Sequence, residues 1–298
     1  MEAVIAQFPT RLRLMSPDAS LVSGGAPQRM VARVLDQQFG YLRLATLEST
    51  ATSFRHELEQ LVASNSLAGI ILDLRFSRGG DLDAVAAIAS LGISGQKPLF
   101  DGGSGMRRSD GVTVSGDIPW VVLVNAETVG APEALAGVLR RSKAALVMGS
   151  KTAGLVGGTL EVSLSNGQRV TFLTQSARLT EAGVATATLP GGWVPDIQTE
   201  ASLEQDRVSV LELIKPMPGE SGGTGIQTTP RAGKKRLNEA DLVRMQREGR
   251  RTDSELPDTT TGPSSKPSAV SEDKTLSRAL DLLKGLSVLR KKPTPMRG

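Results

Sequence analysis

Residues 125–139, with the sequence NAETVGAPEALAGVL, connect an apolar run to the start of a helix-like pattern. Asn125 ends the apolar run, and small residues then form a turn ahead of the helix. Enzymes often place a nucleophile at such a junction, because the amides at a helix N-terminus favour developing negative charge. Here the central residue of the turn is Gly130, which has no side chain. The segment therefore has the pattern of a catalytic turn without a group that could react.

The composition excludes several kinds of catalytic site. The chain has 298 residues, no cysteine and one histidine, His56. A thiolate nucleophile, a thiolate metal site and a site with several histidines are therefore excluded. His56 lies in SFRHELEQLV, beside the apolar stripe of an amphipathic pattern, and we interpret it as a solvated helix residue. We expect neither a metal nor a cofactor.

Positive charge is concentrated towards the C-terminal end. The net charge is +4, but the residues from Arg231 onward hold 16 Lys and Arg against 9 Asp and Glu, so the preceding body is net acidic. Nucleic-acid enzymes usually carry positive charge on the folded body, so we expect no nucleic-acid partner. We also expect no transmembrane segment, because no stretch approaches the required length. The N-terminal residues do not have the pattern of a signal peptide.

Strand-like and helix-like segments alternate along the first half of the chain. Continuous apolar runs of strand length predict strands covered on both faces, and the segments between them have helical periodicity. This alternation is typical of right-handed crossovers onto a mostly parallel sheet. Ser49 or Thr50 is available to cap the first helix. The predicted strands are 41–47, 67–75, 118–125 and 144–150, and the predicted helices are 51–66, 82–93 and 132–143.

The pattern changes after this α/β region. Residues 158–175 form two alternating segments joined by Asn166-Gly167, which predicts an antiparallel hairpin. An amphipathic helix at the C-terminus is too short to be stable alone, so we expect it to dock on the body or on a partner. We divide the chain into an irregular segment 1–29 with one short strand at 11–15, a core domain 30–215, a largely disordered linker 216–272, and the C-terminal amphipathic helix 273–292.

The chain resembles the carboxyl-terminal processing (tail-specific) proteases in three segments that come in the family's order. They are GIILDLRFSRGGDLDAV, VVLVNAETVGAPEALAGVL and VMGSKTAGLVGGTLEVSLSNGQRV, and FGYLRLATL and GGWVPDI match as well. Members of this family are serine/lysine-dyad peptidases. The resemblance implies a crotonase-like α/β fold with a mostly parallel layered core, an antiparallel β-hairpin region, and a tail that is disordered and helical. It also implies a peptide or protein C-terminus as ligand.

The resemblance places the family's reactive groups on residues that cannot supply them. Without a gap, the nucleophilic serine falls on Gly130, the lysine base on Leu155, and the glutamine that orients the lysine on Thr159. A hydroxyl becomes a nucleophile only when a base removes its proton, and a lysine acts as that base only when burial lowers its pKa. The resemblance therefore implies a catalytically degenerate member of the family.

Other parts of the family site have counterparts in this chain. The resemblance implies that amides of an oxyanion hole remain, at Gly79 or Gly80 and at Ala131, where they would stabilise a tetrahedral intermediate. Thr128 and Lys151 lie close to the spacing that a relocated dyad would need. We favour the simpler interpretation, in which Thr128 provides a turn hydroxyl and Lys151 is a solvated or structural lysine.

One further pair follows the predicted strand 67–75. We expect Asp73 and Arg75 to form an ion pair at the end of this strand and to support the turn that follows it. Direct contact with a ligand is the alternative role for this pair.

Three functions stay open at this point. The first is a non-catalytic protein that keeps the peptide-binding cleft, as a binding module, a scaffold or the inactive partner of an active paralogue. A homo-oligomer is a possible assembly for this protein. The second is an active endopeptidase with displaced catalytic residues. The third is an unrelated crotonase-type acyl-CoA enzyme, which the DLR and GSKT segments disfavour. Family members usually carry a PDZ domain ahead of the core and are exported. The residues before Met30 are too few for such a domain, so we expect it to be absent.

Overall fold

The computed structural model describes residues 12–15, 30–166, 169–181, 184–185, 192–215 and 273–290. The strands are β1 (Leu12–Met15), β2 (Met30–Leu35), β3 (Phe39–Leu44), β4 (Gly69–Asp73), β5 (Pro98–Asp101), β6 (Met106–Arg108), β7 (Trp120–Val124), β8 (Ala145–Gly149), β9 (Gly157–Ser163), β10 (Arg169–Ser176), β11 (Arg178–Glu181), β12 (Val184–Ala185) and β13 (Ile197–Gln198). The helices are α1 (Ala51–Ser64), α2 (Leu82–Gly92), α3 (Ala131–Arg141), α4 (Leu203–Ile214) and α5 (Lys274–Arg290).

A six-stranded sheet with the spatial order β13-β8-β7-β4-β3-β2 lies at the centre of the fold. Every neighbouring pair is parallel except β2 with β3, which is antiparallel. Two antiparallel sheets accompany it, with the orders β1-β10-β9 and β12-β11-β5-β6. The predicted α/β fold, with a mostly parallel core, an antiparallel hairpin region and a helical tail, is confirmed.

The central strands are apolar along their whole length because both faces of the sheet are covered. Ile70 and Leu72 of β4 point to one side, where they pack with the apolar faces of α1, α2 and α3. Ile71, between them, points to the other side and packs with α4 and α5. The protein therefore has three layers, in which the sheet is enclosed between two sets of helices.

Helix α5 docks on the face of the sheet that α1–α3 leave free. Leu276, Leu280 and Leu283 are buried against the sheet. Gly69 permits this close approach, because a Cβ atom at that position would lie 2.8 Å from Cδ1 of Leu283. None of the helices in the described residues is both long and apolar enough to cross a membrane.

The helix caps differ from the prediction at one place. Thr50 stands at the N-cap of α1, but its side chain accepts no hydrogen bond from the helix, because its hydroxyl is directed towards the carbonyl of Thr46. Helix α2 is capped by Asp81, which accepts the amide of Ala84 at 2.9 Å. The linker predicted for 216–272 and most of segment 1–29 lie outside the described residues, as does Gly167 of the predicted hairpin turn.

Candidate functional site

Two turns meet at the carboxyl end of the central sheet. One follows β4 and the other follows β7, and the two strands are neighbours in the sheet. Three hydrogen bonds join the turns: the amide of Val129 donates to the carbonyl of Ser77 (3.0 Å), that of Ala131 to the carbonyl of Gly79 (2.8 Å), and that of Phe76 to the side chain of Asn125 (3.1 Å). Crevices at the carboxyl ends of parallel strands are the usual ligand sites of α/β proteins.

Gly130 stands at the N-cap of α3, with a positive φ of 82°. The space beside it is filled by Thr159 of β9, whose hydroxyl donates to the carbonyl of Gly79 at 2.9 Å. A Cβ atom on Gly130 would overlap that carbonyl oxygen and would lie 2.5 Å from Oγ1 of Thr159. This position therefore has neither a side chain nor room for one.

We expect Gly130→Ser to lower the free energy of unfolding by about 2 kcal/mol. A non-glycine residue in a strained positive-φ conformation costs on the order of 1–3 kcal/mol, and the added Cβ must displace its neighbours. Urea denaturation of the variant measures the loss. The same substitution in a Thr159→Ala background should cost less, because one of the two obstructing groups has been removed. An equal cost in both backgrounds would contradict a role for Thr159 in filling the site.

Two of the three amides that the resemblance offers for an oxyanion hole, those of Gly80 and Ala131, already have acceptors within the protein. Ala131 donates to the carbonyl of Gly79, and Gly80 donates to Oε1 of the exposed Glu48 at 2.6 Å. Gly79 has a φ of 132°, and a Cβ atom there would lie 2.7 Å from the carbonyl oxygen of Leu47. In this arrangement an incoming oxyanion would have to compete with the carbonyl of Gly79 and the carboxylate of Glu48.

Leu155 is buried, with 4% of its surface exposed, and it adds a purely apolar side chain to the site. Its backbone amide donates to Oε2 of Glu133 at 2.8 Å. The same carboxylate accepts the amide of Gly154 (2.7 Å), the hydroxyl of Thr152 (2.6 Å) and the amide of Gly130 (3.3 Å). Burial raises the pKa of Glu133, and these four donors oppose the rise. Glu133 thus connects the first turn of α3 with the segment that carries Leu155.

The structure separates the environments of Thr128 and Lys151. Thr128 is fully buried, and its hydroxyl accepts the amide of Asn125 (3.0 Å) and donates to the carbonyl of Leu74 (2.8 Å). Lys151 is exposed to solvent. The Thr128 hydroxyl therefore already has a backbone carbonyl, that of Leu74, as its hydrogen-bond acceptor. His56 is exposed on α1, where its ring hydrogen-bonds Gln60.

A buried charged network lies beneath the two turns. The expected ion pair between Asp73 and Arg75 is present, at 2.7 Å, and both side chains are fully buried. Arg75 also pairs with Asp206 of α4 (3.1 Å) and with Asp273 at the start of α5 (2.7 Å). Burial opposes ionisation of Asp73, but Arg75 and Arg43 outweigh it and keep the pKa of Asp73 below its ordinary value. For Asp206 burial dominates over Arg75, and its pKa is raised.

The sequence reasoning did not identify Asp206, Asp273 or Glu48 as residues around the site. Asp206 and Asp273 lie 131 and 198 residues from Arg75 in the chain, so spacing carries no signal for these pairs. Only Asp273 has a local signal, since it directly precedes the C-terminal amphipathic pattern and aspartate is a common N-cap residue. In the structure Asp273 Oδ1 accepts the amide of Leu276 at 2.9 Å, which is an N-cap bond.

Comparison with known proteins finds relatives among the C-terminal processing peptidases. The chain is 34% identical over 168 residues to a C-terminal processing peptidase of Tetradesmus obliquus, covering 55% of this chain and 36% of that protein. It is 36% identical over 143 residues to a carboxyl-terminal-processing protease of Synechocystis, covering 45% of this chain and 33% of that protein. The chain thus spans about a third of the length of these relatives.

A solved structure and a family model were also matched. The photosystem II D1 C-terminal processing protease is 32% identical, with a TM-score of 0.42, covering 64% of this chain and 48% of that one. The model of peptidase family S41 matches residues 38–199, which include both turns, α3, and the strand that carries Thr159. This protein belongs to peptidase family S41.

Proposed function

We propose that this chain is a non-catalytic S41 domain, which binds an extended polypeptide segment without cleaving it. One observation carries the proposal. The space beside Gly130, the position that the resemblance assigns to the nucleophile, is occupied by the hydroxyl of Thr159. At the position of the base stands the buried Leu155.

The chemistry of acyl transfer explains why this arrangement favours binding over cleavage. An attacking oxygen and a base within hydrogen-bond distance of it are both required. Glycine has no oxygen in its side chain, and leucine cannot accept a proton. The Thr159 hydroxyl does not replace the nucleophile, because its proton is directed to the carbonyl of Gly79 at 2.9 Å. Residual stabilisation by backbone amides alone does not amount to a working protease.

Strand β9 offers a surface on which a peptide could be held. Among the described strands it lies at the edge of its sheet, paired only with β10. It also carries Thr159, and beyond that residue Leu160 and Val162 are 56% and 40% exposed. Edge strands bind extended peptides through main-chain hydrogen bonds, with side-chain contacts adding selectivity. The relatives are named for processing of C-termini, so we propose a C-terminal polypeptide segment as the ligand.

A fluorophosphonate probe tests the absence of catalysis. We expect no covalent labelling of the native chain, measured by intact-protein mass spectrometry, and no cleavage of an unfolded substrate such as casein. Gly130→Ser with Leu155→Lys and Thr159→Gln rebuilds the three family positions, but the carbonyl of Gly79 still overlaps a Cβ atom at residue 130. The positive control for the probe is therefore an active serine hydrolase such as trypsin. Labelling of the native chain that is lost on Thr128→Ala would instead support an active endopeptidase with displaced residues.

Peptide binding has its own test. A fluorescein-labelled peptide pool with free C-termini, followed by anisotropy, should bind the native chain. Affinity should fall at least tenfold for Leu160→Asp with Val162→Asp. The matched control is Val112→Asp, which changes a valine that is 64% exposed in a loop outside β9. Equal affinity for the native chain and the β9 variant would rule out β9 as the binding surface.

A further inference from the structure

Arg75 collects carboxylates from three distant parts of the chain. Asp73 lies two residues away, Asp206 belongs to α4, and Asp273 precedes α5. All four side chains are at most 5% exposed. Residues 215–273 separate α4 from α5 in the sequence. Arg75, on the turn after β4, is therefore held by α4 and α5, which follow the last strand of the central sheet in the sequence.

Asp273 makes two kinds of contact at once. Its Oδ1 accepts the amide of Leu276 at 2.9 Å and Nη1 of Arg75 at 3.1 Å. Its Oδ2 accepts Nη2 of Arg75 at 2.7 Å. Paired contacts of this kind fix the direction of the guanidinium as well as its position. The residue that caps α5 is thus also a direct partner of the turn after β4.

Asp206 connects the same network to the second turn. Its Oδ2 accepts Nδ2 of Asn125 at 3.3 Å, while its Oδ1 accepts Nη1 of Arg75 at 3.1 Å. The other end of the Asn125 side chain, Oδ1, accepts the amides of Phe76 and Glu127, both at 3.1 Å. Through Arg75 and Asn125, helices α4 and α5 therefore reach both turns of the candidate site.

We propose that Asp273 and Asp206 are positioning residues of the candidate site, and that docking of α5 sets the relative placement of the turns that carry Gly79 and Gly130. The proposal rests on the proposed function only in taking these two turns, which contact β9 through Thr159 and Gly79, as part of the binding site. The three leucines of α5 already bury an apolar face on the sheet. Attachment of the helix therefore does not need a buried ion pair, which by itself is weak evidence for stability. The ion pair instead fixes the position of α5 along the sheet, because Asp273 reaches Arg75 in only one register of the helix.

Asp273→Asn separates this role from helix capping. Asparagine caps a helix about as well as aspartate does, so the bond to Leu276 is kept. The charge opposite Arg75 is lost, and so is one of the two acceptor oxygens. We expect the amides of Phe76, Glu127 and Ala131 to exchange with solvent at least tenfold faster, measured by hydrogen–deuterium exchange with residue resolution. Amides of the β2–β3 ladder should keep their native rates.

The control is Lys284→Gln on the same helix. Lys284 pairs with Asp36 at 2.8 Å on the surface, with side chains 46% and 43% exposed, and it contacts neither turn. It should leave the three reporter amides unchanged. The proposal is overturned if Asp273→Asn leaves them unchanged, or if it speeds the β2–β3 amides by the same factor, because the pair would then serve the whole fold.

Asp206→Asn gives a second test from α4, with the same readout, if Asp273→Asn does not fold. Loss of the fold in both variants would likewise overturn the proposal. The exchange experiment contains no peptide and no probe. A failure of peptide binding, or unexpected labelling, would therefore contradict the proposed function and leave the exchange result standing.

Discussion

Arg75→Met is expected to lower the free energy of unfolding by about 4 kcal/mol or more. The guanidinium has 0% exposure and pairs with Asp73 (2.7 Å), Asp206 (3.1 Å) and Asp273 (2.7 Å). Methionine removes the cation that three buried carboxylates share, and of these Asp73 keeps Arg43, at 3.6 Å. Removing one partner of a buried ion pair typically costs about 3–5 kcal/mol. Urea denaturation followed by circular dichroism and extrapolated linearly to water measures the change.

As the pH falls, the contribution of the Asp73–Arg75 pair to the free energy of unfolding decreases. The free energy of unfolding of Arg75→Met should instead rise relative to that of the native protein. In the native protein Arg75 and Arg43 outweigh burial, and the pKa of Asp73 is lowered. Asp73 therefore contributes stability that is present above the ordinary Asp pKa and is lost as the pH falls through the lowered value. Burial already raises the pKa of Asp206 while Arg75 is present, so without Arg75 protonation of this carboxyl favours the folded state still more. The difference in free energy of unfolding between the native protein and Arg75→Met should accordingly be smaller at pH 5 than at pH 7.

Arg55→Met is the control for the loss of an arginine. Arg55 is 37% exposed and contacts Glu59 (3.6 Å) and Asp110 (3.3 Å) at the surface. Its replacement should change the free energy of unfolding by no more than about 0.5 kcal/mol. A cost for Arg75→Met as small as that for Arg55→Met would show that the buried network does not support the turns.

Glu133→Gln is expected to lower the free energy of unfolding by about 3 kcal/mol at pH 7. The carboxylate accepts four donors, two on each oxygen. Glutamine replaces one oxygen by an NH₂ group, which would face two donors and accept from neither. Leaving a buried donor unsatisfied costs about 1–3 kcal/mol. Denaturation by urea at pH 7 measures the loss, and faster amide exchange at Gly154 and Leu155 would locate it.

The effect of pH on this variant follows from the raised pKa of Glu133, which is caused by burial. A carboxyl with a raised pKa in the folded state contributes stability that is present below its ordinary pKa and is lost as the pH rises through the raised value. Glutamine has no such proton. The gap between the native chain and Glu133→Gln should therefore be wider near pH 4.5 than at pH 7. Glu212→Gln, at an exposed ion pair with Lys215, is the control and should show neither effect.

Much of the fold could be predicted because its signals are local. Continuous apolar runs such as GIILD predict buried parallel strands, and the helical periodicity between them predicts the crossovers. Asn166-Gly167 predicts the hairpin of β9 and β10, which pair as expected. The side chain of Thr50 does not cap α1. Residue type alone shows that Thr50 could cap the helix, but it does not show where the hydroxyl is directed.

The partners around the site could not be predicted in the same way. Asp206 and Asp273 meet Arg75 only because α4 and α5 pack on one face of the sheet, and no spacing in the sequence records that packing. The four donors to Glu133 come from Gly130 and from three residues about 20 positions later. Hydrogen bonds between residues so far apart in the sequence depend on how the loops pack on the sheet, and this packing is a property of the whole fold.

By itself, the sequence determined which chemical groups are present. Gly130 has no hydroxyl and Leu155 has no amine, and no fold can change that. Only the tertiary structure decided what occupies the space. Strand β9 packs against the turn, so that Thr159 takes the room beside Gly130 and the carbonyl of Gly79 receives the amide of Ala131. The physical reason is that the chemistry of a side chain belongs to its residue, whereas free volume and hydrogen-bond pairing belong to segments that meet in space.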